Sequence, residues 1–154
     1  MVLHEILKQY PRTEDSLIEI LLAYQAEKKD HFISNEEIAE IAQYVQTTES
    51  KVCSVLSFYT FFSNKPRGRY IIYVCKDVPC YVNESANIVR TLERLLGIKV
   101  GETTPNKMFT LEYASCLGYC NQAPAMRIDG KTYTDLNPDK VKAIISEYRG
   151  KQNA

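Results

Sequence analysis

The residues in this chain best equipped for chemistry are cysteines. Four of the five lie in two pairs: Cys75 and Cys80 as C-x4-C and, after 35 intervening residues, Cys116 and Cys120 as C-x3-C. Pro79 sits inside the first pair and Gly118 inside the second. Proline fixes one φ angle and glycine admits a positive one, so either can shape a tight loop that turns both sulfurs inward. Two thiols on each of two loops match the symmetry of a [2Fe–2S] cluster, where each iron takes two protein thiolates. Oxidised, such a centre carries roughly two negative charges. Backbone N–H groups in glycine-containing turns can offset that charge.

Spacing alone leaves other chemistries open. Structural zinc sites use pairs from C-x2-C to C-x4-C, so the first pair fits and the second fits loosely. Disulfides and reduced structural thiols are further readings. C-x-x-C, the spacing of redox dithiols, is absent. Cys53 stands far from both pairs, beside an apolar helical stripe, and reads as a small buried or boundary thiol. His4 and His31 flank no cysteine motif and read as surface or packing residues.

Composition bounds the rest. The 154 residues have room for one medium domain, or a small domain with a helical extension. Nineteen basic and nineteen acidic residues cancel, which gives no support to a nucleic-acid partner. No apolar run approaches the roughly 18 residues of a membrane span. The opening residues lack the basic and apolar regions of a secretory signal. The expectation is therefore a cytoplasmic protein in a reducing compartment, which disfavours disulfides.

The elements that position the cysteines can be read in order. Residues 2–10 form a short helix ended by Pro11. Thr13 caps a second helix reaching about Lys29, with Leu17, Leu21 and Tyr24 at helical spacing. Ser34 and Glu37 make a capping box for a third, with Ile38, Ile41, Ala42 and Val45 inward. Thr47-Thr48-Glu49 caps a fourth, in which Val52, Val55, Leu56 and Tyr59 continue toward Phe62. Short loops between helices predict a small helical bundle over residues 1–64. The aromatic residues Phe58, Tyr59, Phe61 and Phe62 read first as core packing and second as a docking surface. Turn residues from Ser63 to Gly68 mark a boundary.

Residues 69–74 read as a buried strand that delivers Cys75. Residues 84–96 read as a helix ended by Gly97, and 109–114 as a strand that delivers Cys116. Residues 126–133 read as a hairpin turning at Asp129-Gly130, and Asn137-Pro138 starts a last helix. Over residues 65–154 this β-α-β-β-β-α order resembles the thioredoxin fold, with the C-x4-C in the place of its dithiol. The fold class expected is α+β.

With these residues in place, the chain resembles the small [2Fe–2S] subunits of respiratory complex I and the gamma subunits of NAD-linked [FeFe] hydrogenases and formate dehydrogenases. The carriers are Ser57-Phe58-Tyr59-Thr60-Phe61-Phe62, Lys65-Pro66-Arg67-Gly68, Val74-Cys75 with Cys80, Gly101-Glu102-Thr103-Thr104-Pro105, Phe109-Thr110-Leu111-Glu112, and Cys116-Leu117-Gly118-Tyr119-Cys120 with Ala123-Pro124-Ala125-Met126. Tyr119 stands where many relatives carry alanine. The resemblance implies an N-terminal helical bundle before a thioredoxin-like ferredoxin domain, and one [2Fe–2S] cluster held by Cys75, Cys80, Cys116 and Cys120. It implies one-electron transfer beside a larger subunit that binds FMN and NAD(H), within an NADH-linked oxidoreductase complex. A hydrogenase or formate dehydrogenase would be a further catalytic partner. The chain has no G-x-G-x-x-G and no P-loop, so flavin and nucleotide are expected on the partner, with no turnover by this chain alone. The rival functions are a thioredoxin-like thiol oxidoreductase and a zinc-stabilised adaptor.

Overall fold

Tyr70–Cys75 forms strand β1, whose alternating burial comes from Tyr70, Ile72 and Val74 facing the core. The chain around it is described for residues 2–151 of a computed structural model. It divides into two compact units, Met1–Arg67 and Gly68–Ala154.

The first unit carries helices α1 (Val2–Leu7), α2 (Leu17–Glu27), α3 (Asn35–Tyr44) and α4 (Glu49–Phe58). Their inward faces share a core that includes Ile20, Leu21, Ile33, Ile41 and Val52. Helix α1 is shorter than the sequence suggests, because its last turn tightens into Gln9 N–H to Ile6 and Tyr10 N–H to Leu7 carbonyl bonds. Thr13 does not cap α2 with its side chain. It precedes a 3₁₀ turn, Glu14–Ser16, and α2 begins at Leu17. Helix α2 stops at Glu27 because Lys28 turns extended and sends its ammonium to Glu37, at 2.8 and 3.0 Å. The Ser34–Glu37 capping box forms as the sequence predicts. Burial pushes the Glu37 carboxyl up, but hydrogen bonds from Lys28, Tyr24 and the Ser34 N–H outweigh it and hold the group below its ordinary range.

Helix α4 does not continue through the aromatic stretch. It ends at Phe58, and Tyr59 adopts an extended backbone. The buried Arg67 guanidinium then donates to the carbonyls of Thr60, Phe61 and Phe62, at 3.1 to 3.4 Å. These are carbonyls that a longer helix would have satisfied internally. The aromatics split as a result: Phe62 joins the core, whereas Phe58 is 77% exposed and Phe61 41%.

The second unit is built on a four-stranded mixed sheet in which β2 (Phe109–Ala114), β1, β3 (Met126–Ile128) and β4 (Lys131–Tyr133) lie side by side in that order. Strand β2 pairs parallel to β1, with Cys75 opposite Ala114. Strand β3 runs antiparallel to β1, and β4 antiparallel to β3. Asp129 and Gly130 both take positive φ, 50° and 75°, as a two-residue hairpin turn demands. A short helix α5 (Val78–Val82) and then α6 (Ser85–Leu96) cross from β1 to β2, and α7 (Pro138–Gly150) closes the chain. Helix α6 supplies Ile88, Val89, Leu92 and Leu96, and α7 supplies Val141, Ile145 and Tyr148, to a core with Phe109 and Leu111 of the sheet. Asn137 caps α7 by accepting the Lys140 N–H at 2.8 Å. The sequence reads the tail from Gly150 as frayed; α7 runs through Gly150 with Lys151 at its C-cap, and residues 152–154 lie outside the described residues.

Gly68 fixes how the chain enters β1. Its N–H donates to Thr110 Oγ1 at 2.6 Å. A Cβ there would lie 2.7 Å from the Phe109 backbone, closer than real Cβ contacts come. Because the obstruction is backbone, Gly68→Ala should destabilise the second unit by about 2 kcal/mol, the usual size of an overpacking penalty. Denaturant unfolding measures it, and a change within about 0.5 kcal/mol, the range of ordinary surface substitutions, would disprove the close-approach account.

Candidate metal centre

Parallel pairing of β1 and β2 brings both cysteine segments to one end of the sheet. Cys75 is the last residue of β1, and Cys116 follows two residues beyond Ala114, the last residue of β2. The Cys75 N–H donates to the Ala125 carbonyl at 3.1 Å, and the Lys76 N–H to that of Ala114. The backbone is therefore pinned on both sides just where the first thiol emerges.

The first pair is not spanned by a simple tight loop, as the sequence suggests. Pro79 stands in the first turn of α5, where its missing N–H costs nothing. That helical turn swings Cys80 back toward Cys75. Each is only 2% exposed, and with Ala125 they form a small apolar pocket flanked by Leu117 and Ala123. Outward, α5 presents Val78, Tyr81 and Val82 to solvent.

The second pair lies in an open loop. The Sγ atoms of Cys116 and Cys120 are 3.3 Å apart, and both residues are exposed. Gly118 sits between them with φ 86°, and its N–H points at Cys116 Sγ at 3.4 Å. Glycine supplies both the left-handed turn and a donor to sulfur, as the sequence predicts. Cys120 begins a 3₁₀ turn, Cys120–Gln122, after which the Ala123–Pro124 peptide bond is cis.

The four thiols interact with one another. Burial pushes the Cys80 thiol up to about 11; a backbone hydrogen bond from Ala125 opposes this, while Cys75 and Cys120 add to the rise. The Cys120 thiol is raised chiefly by its hydrogen bond with Cys116, with smaller contributions from burial, Cys75 and Asp77. Among the described residues no group of three His, Cys, Asp or Glu side chains is arranged to hold one metal ion. The sulfurs stand two by two. All are free thiols, and two pairs of soft donors at one end of the sheet, coupled electrostatically through Cys75, Cys80 and Cys120, are the donor set that a two-iron, two-sulfide group requires. The residues present fit that group.

Cys53 is exposed on α4, not tucked into the core, and it belongs with His4 and His31 to the other unit. What sequence reasoning missed was the role of Ala125. Its carbonyl and N–H hold the buried pair, yet nothing in a single alanine announces that.

The profile of thioredoxin-like [2Fe–2S] ferredoxins matches residues 3–149. The chain belongs to this family. The cofactor of thioredoxin-like [2Fe–2S] ferredoxins is the two-iron cluster their name states, in agreement with the donor set above. Similar sequences include the NADP-reducing hydrogenase subunit HndA of Solidesulfovibrio fructosivorans, 30% identical over 94% of this chain and 83% of that one. An NADH-quinone oxidoreductase subunit of Rickettsia felis is 34% identical over 94% of this chain and 87% of its own. The corresponding NADH-quinone oxidoreductase subunit of Buchnera aphidicola subsp. Baizongia pistaciae is 36% identical over 94% and 83%. Among solved structures, an NAD+-reducing [NiFe]-hydrogenase in the air-oxidised state superposes with a TM-score of 0.76 at 22% identity. That match covers 91% of this chain and 24% of the hydrogenase chain, and it speaks to fold alone.

The burial contrast has a chemical consequence in the cluster-free ferredoxin chain. Iodoacetamide should modify Cys53, Cys116 and Cys120 readily, and Cys75 and Cys80 only after denaturant is added. Peptide mass mapping over time reads the order, and early labelling of Cys80 would contradict the buried pocket.

Proposed function

We propose that this chain carries single electrons within a multisubunit NAD(P)H-linked oxidoreductase, through one [2Fe–2S] cluster held by Cys75, Cys80, Cys116 and Cys120. The observation that carries the reading is the meeting of the two thiol pairs at the β1–β2 sheet end. Relatives named as hydrogenase and NADH-quinone oxidoreductase subunits support the setting. When bound, the cluster supplies reversible one-electron chemistry. The protein's own part is to hold four thiolates in fixed geometry, to desolvate one side of the site through Ala125, Leu117 and Ala123, and to leave the other side open.

The neighbouring subunit would bind FMN and NAD(H) and handle hydride transfer, which takes two electrons at a time and needs a one-electron outlet. A hydrogenase or formate dehydrogenase would complete the complex. The chain would work in the cytoplasm, with no nucleic-acid partner and no membrane insertion of its own. No helix among the described residues is long and apolar enough to cross a membrane. A thiol oxidoreductase or a zinc adaptor is the weaker reading: the dithiol spacing is wrong for the first, and the family's cofactor argues against the second.

Replacing Cys75, Cys80, Cys116 or Cys120 by Ala should abolish the cluster, because an iron loses a thiolate. Cys53→Ala should leave the visible spectrum intact and cost under about 0.5 kcal/mol, as an exposed substitution does. The unaltered chain should yield about two irons and two labile sulfides, with a one-electron EPR signal on reduction. Stoichiometric zinc without iron in anaerobically purified protein would sink the reading.

We assign the division of labour to residues 1–64 as a helical bundle for docking and 65–154 as the cluster domain. Exposed Phe58 and Phe61 on the helical side support the first assignment, since aromatic residues are enriched in interface cores. A chain beginning at Lys65 should bind the cluster yet fail to capture the NAD(H)-binding subunit in a pull-down. Equal capture by the shortened chain would confine docking to the cluster domain.

A further inference from the structure

The two halves of the site differ sharply in their exposure to solvent. Cys75 and Cys80 are buried behind Ala125, whereas Cys116 and Cys120 lie in an open loop with their sulfurs 3.3 Å apart. A disulfide needs about 2.05 Å between sulfurs. Closure therefore asks for a movement of little more than about 1 Å in a segment turned on Gly118, whose left-handed backbone meets no neighbouring atom where a Cβ would be. Cys53 is also exposed, but it has no second thiol from its own unit, since the other four all lie beyond Gly68.

We propose that, in the cluster-free chain, Cys116 and Cys120 close into a reversible disulfide that blocks cluster loading, while Cys75 and Cys80 stay reduced. The oxidant is a small disulfide of the glutathione class. One of the two thiols, as thiolate, attacks a glutathione sulfur, forming a mixed disulfide and releasing one glutathione. The second thiolate attacks the protein sulfur of that mixed disulfide and releases the other glutathione. Two electrons pass from the cysteine pair to the glutathione disulfide, and the two protons end on the released glutathione thiols. The closed pair offers no thiolate to iron, so half of the ligand set is withdrawn. Reduction by a dithiol restores it. The device rests on the four-cysteine reading above: it gives the cluster-free chain a protected form in place of stepwise, irreversible oxidation of its exposed sulfurs.

The test uses the full-length chain stripped of iron, incubated with oxidised glutathione, alongside a Cys53→Ser variant that removes cross-linking between chains. The expected result for the unaltered chain is loss of two hydrogen atoms in mass, three thiols remaining of the original five, and a linked peptide joining Cys116 to Cys120. Iron and sulfide uptake should fall to background, as for loss of a cysteine ligand, and recover with dithiothreitol. Persistence of all five thiols, a stable glutathione adduct without closure, or linkage through Cys75 or Cys80 would overturn the disulfide while leaving the cluster assignment standing. A Cys116–Cys120 link that left iron uptake unchanged would overturn the block, and would count against the four-cysteine ligand set as well.

Discussion

Parallel pairing of β1 with β2 is the constraint on which the site depends. The two cysteine pairs are separated by 35 intervening residues in the chain, and neither pair alone offers four donors. The in-register ladder from Tyr70–Phe109 to Cys75–Ala114 ends both strands at the same level. A register slip by one residue would move Cys116 along the sheet and turn the core residues of β2 to its other face. The apolar core beneath, from Phe109 and Leu111 to the inward residues of α6 and α7, fixes that register, since only one setting buries them all. Burial of ordinary hydrophobic side chains thus sets the spacing of sulfurs that touch none of them.

Above the sheet end, the two loops are stabilised by different means. The first is short and closed: α5 folds Cys80 back, and the Ala125 backbone of the β3 segment pins both members of the pair. The second is open and depends on Gly118 for its turn. The cluster centre proposed on these two pairs would have one solvent-shielded side and one accessible side. Burial shields two of the thiolate–iron bonds from competing water, while exposure on the other side limits the desolvation cost of the cluster's charge. Electron carriers within complexes need both properties, and here they come from two loops of unlike structure.

The helical unit follows a separate logic. Its elements are held by an apolar core and by polar ties at helix ends: the Ser34–Glu37 box, the Lys28 ammonium on Glu37, and the Arg67 guanidinium over three carbonyls. Arg67 replaces the hydrogen bonds that α4 gives up when it ends at Phe58. The consequence is an aromatic segment with Phe62 turned in and Phe58 turned out. An apolar ring left in water beside a well-packed core is a feature that a partner's surface can use.

Much of this was written in the sequence. The strand of β-branched and aromatic residues before Cys75, the Asp129-Gly130 hairpin, the Asn137 cap and the Ser34–Glu37 box all formed as read, because each depends on neighbours within a few residues. The four candidate sulfurs were legible for the same reason, as pairs at short spacing with Pro79 and Gly118 between them. Other features were settled by tertiary contact. Helix α4 stopped at Phe58 because Arg67 captured the following carbonyls, and α2 stopped at Glu27 because Lys28 found Glu37. The stretch around Pro79 became a helical turn, and Cys53 faced out. Which pair would be buried could not be read either: Cys75 and Cys80 are shielded by Ala125, some 45 residues further along the chain. Local chemistry fixes where a helix can begin and which side chains can bind metal. Where an element ends, and which thiols meet water, depends on partners that only the folded chain brings near.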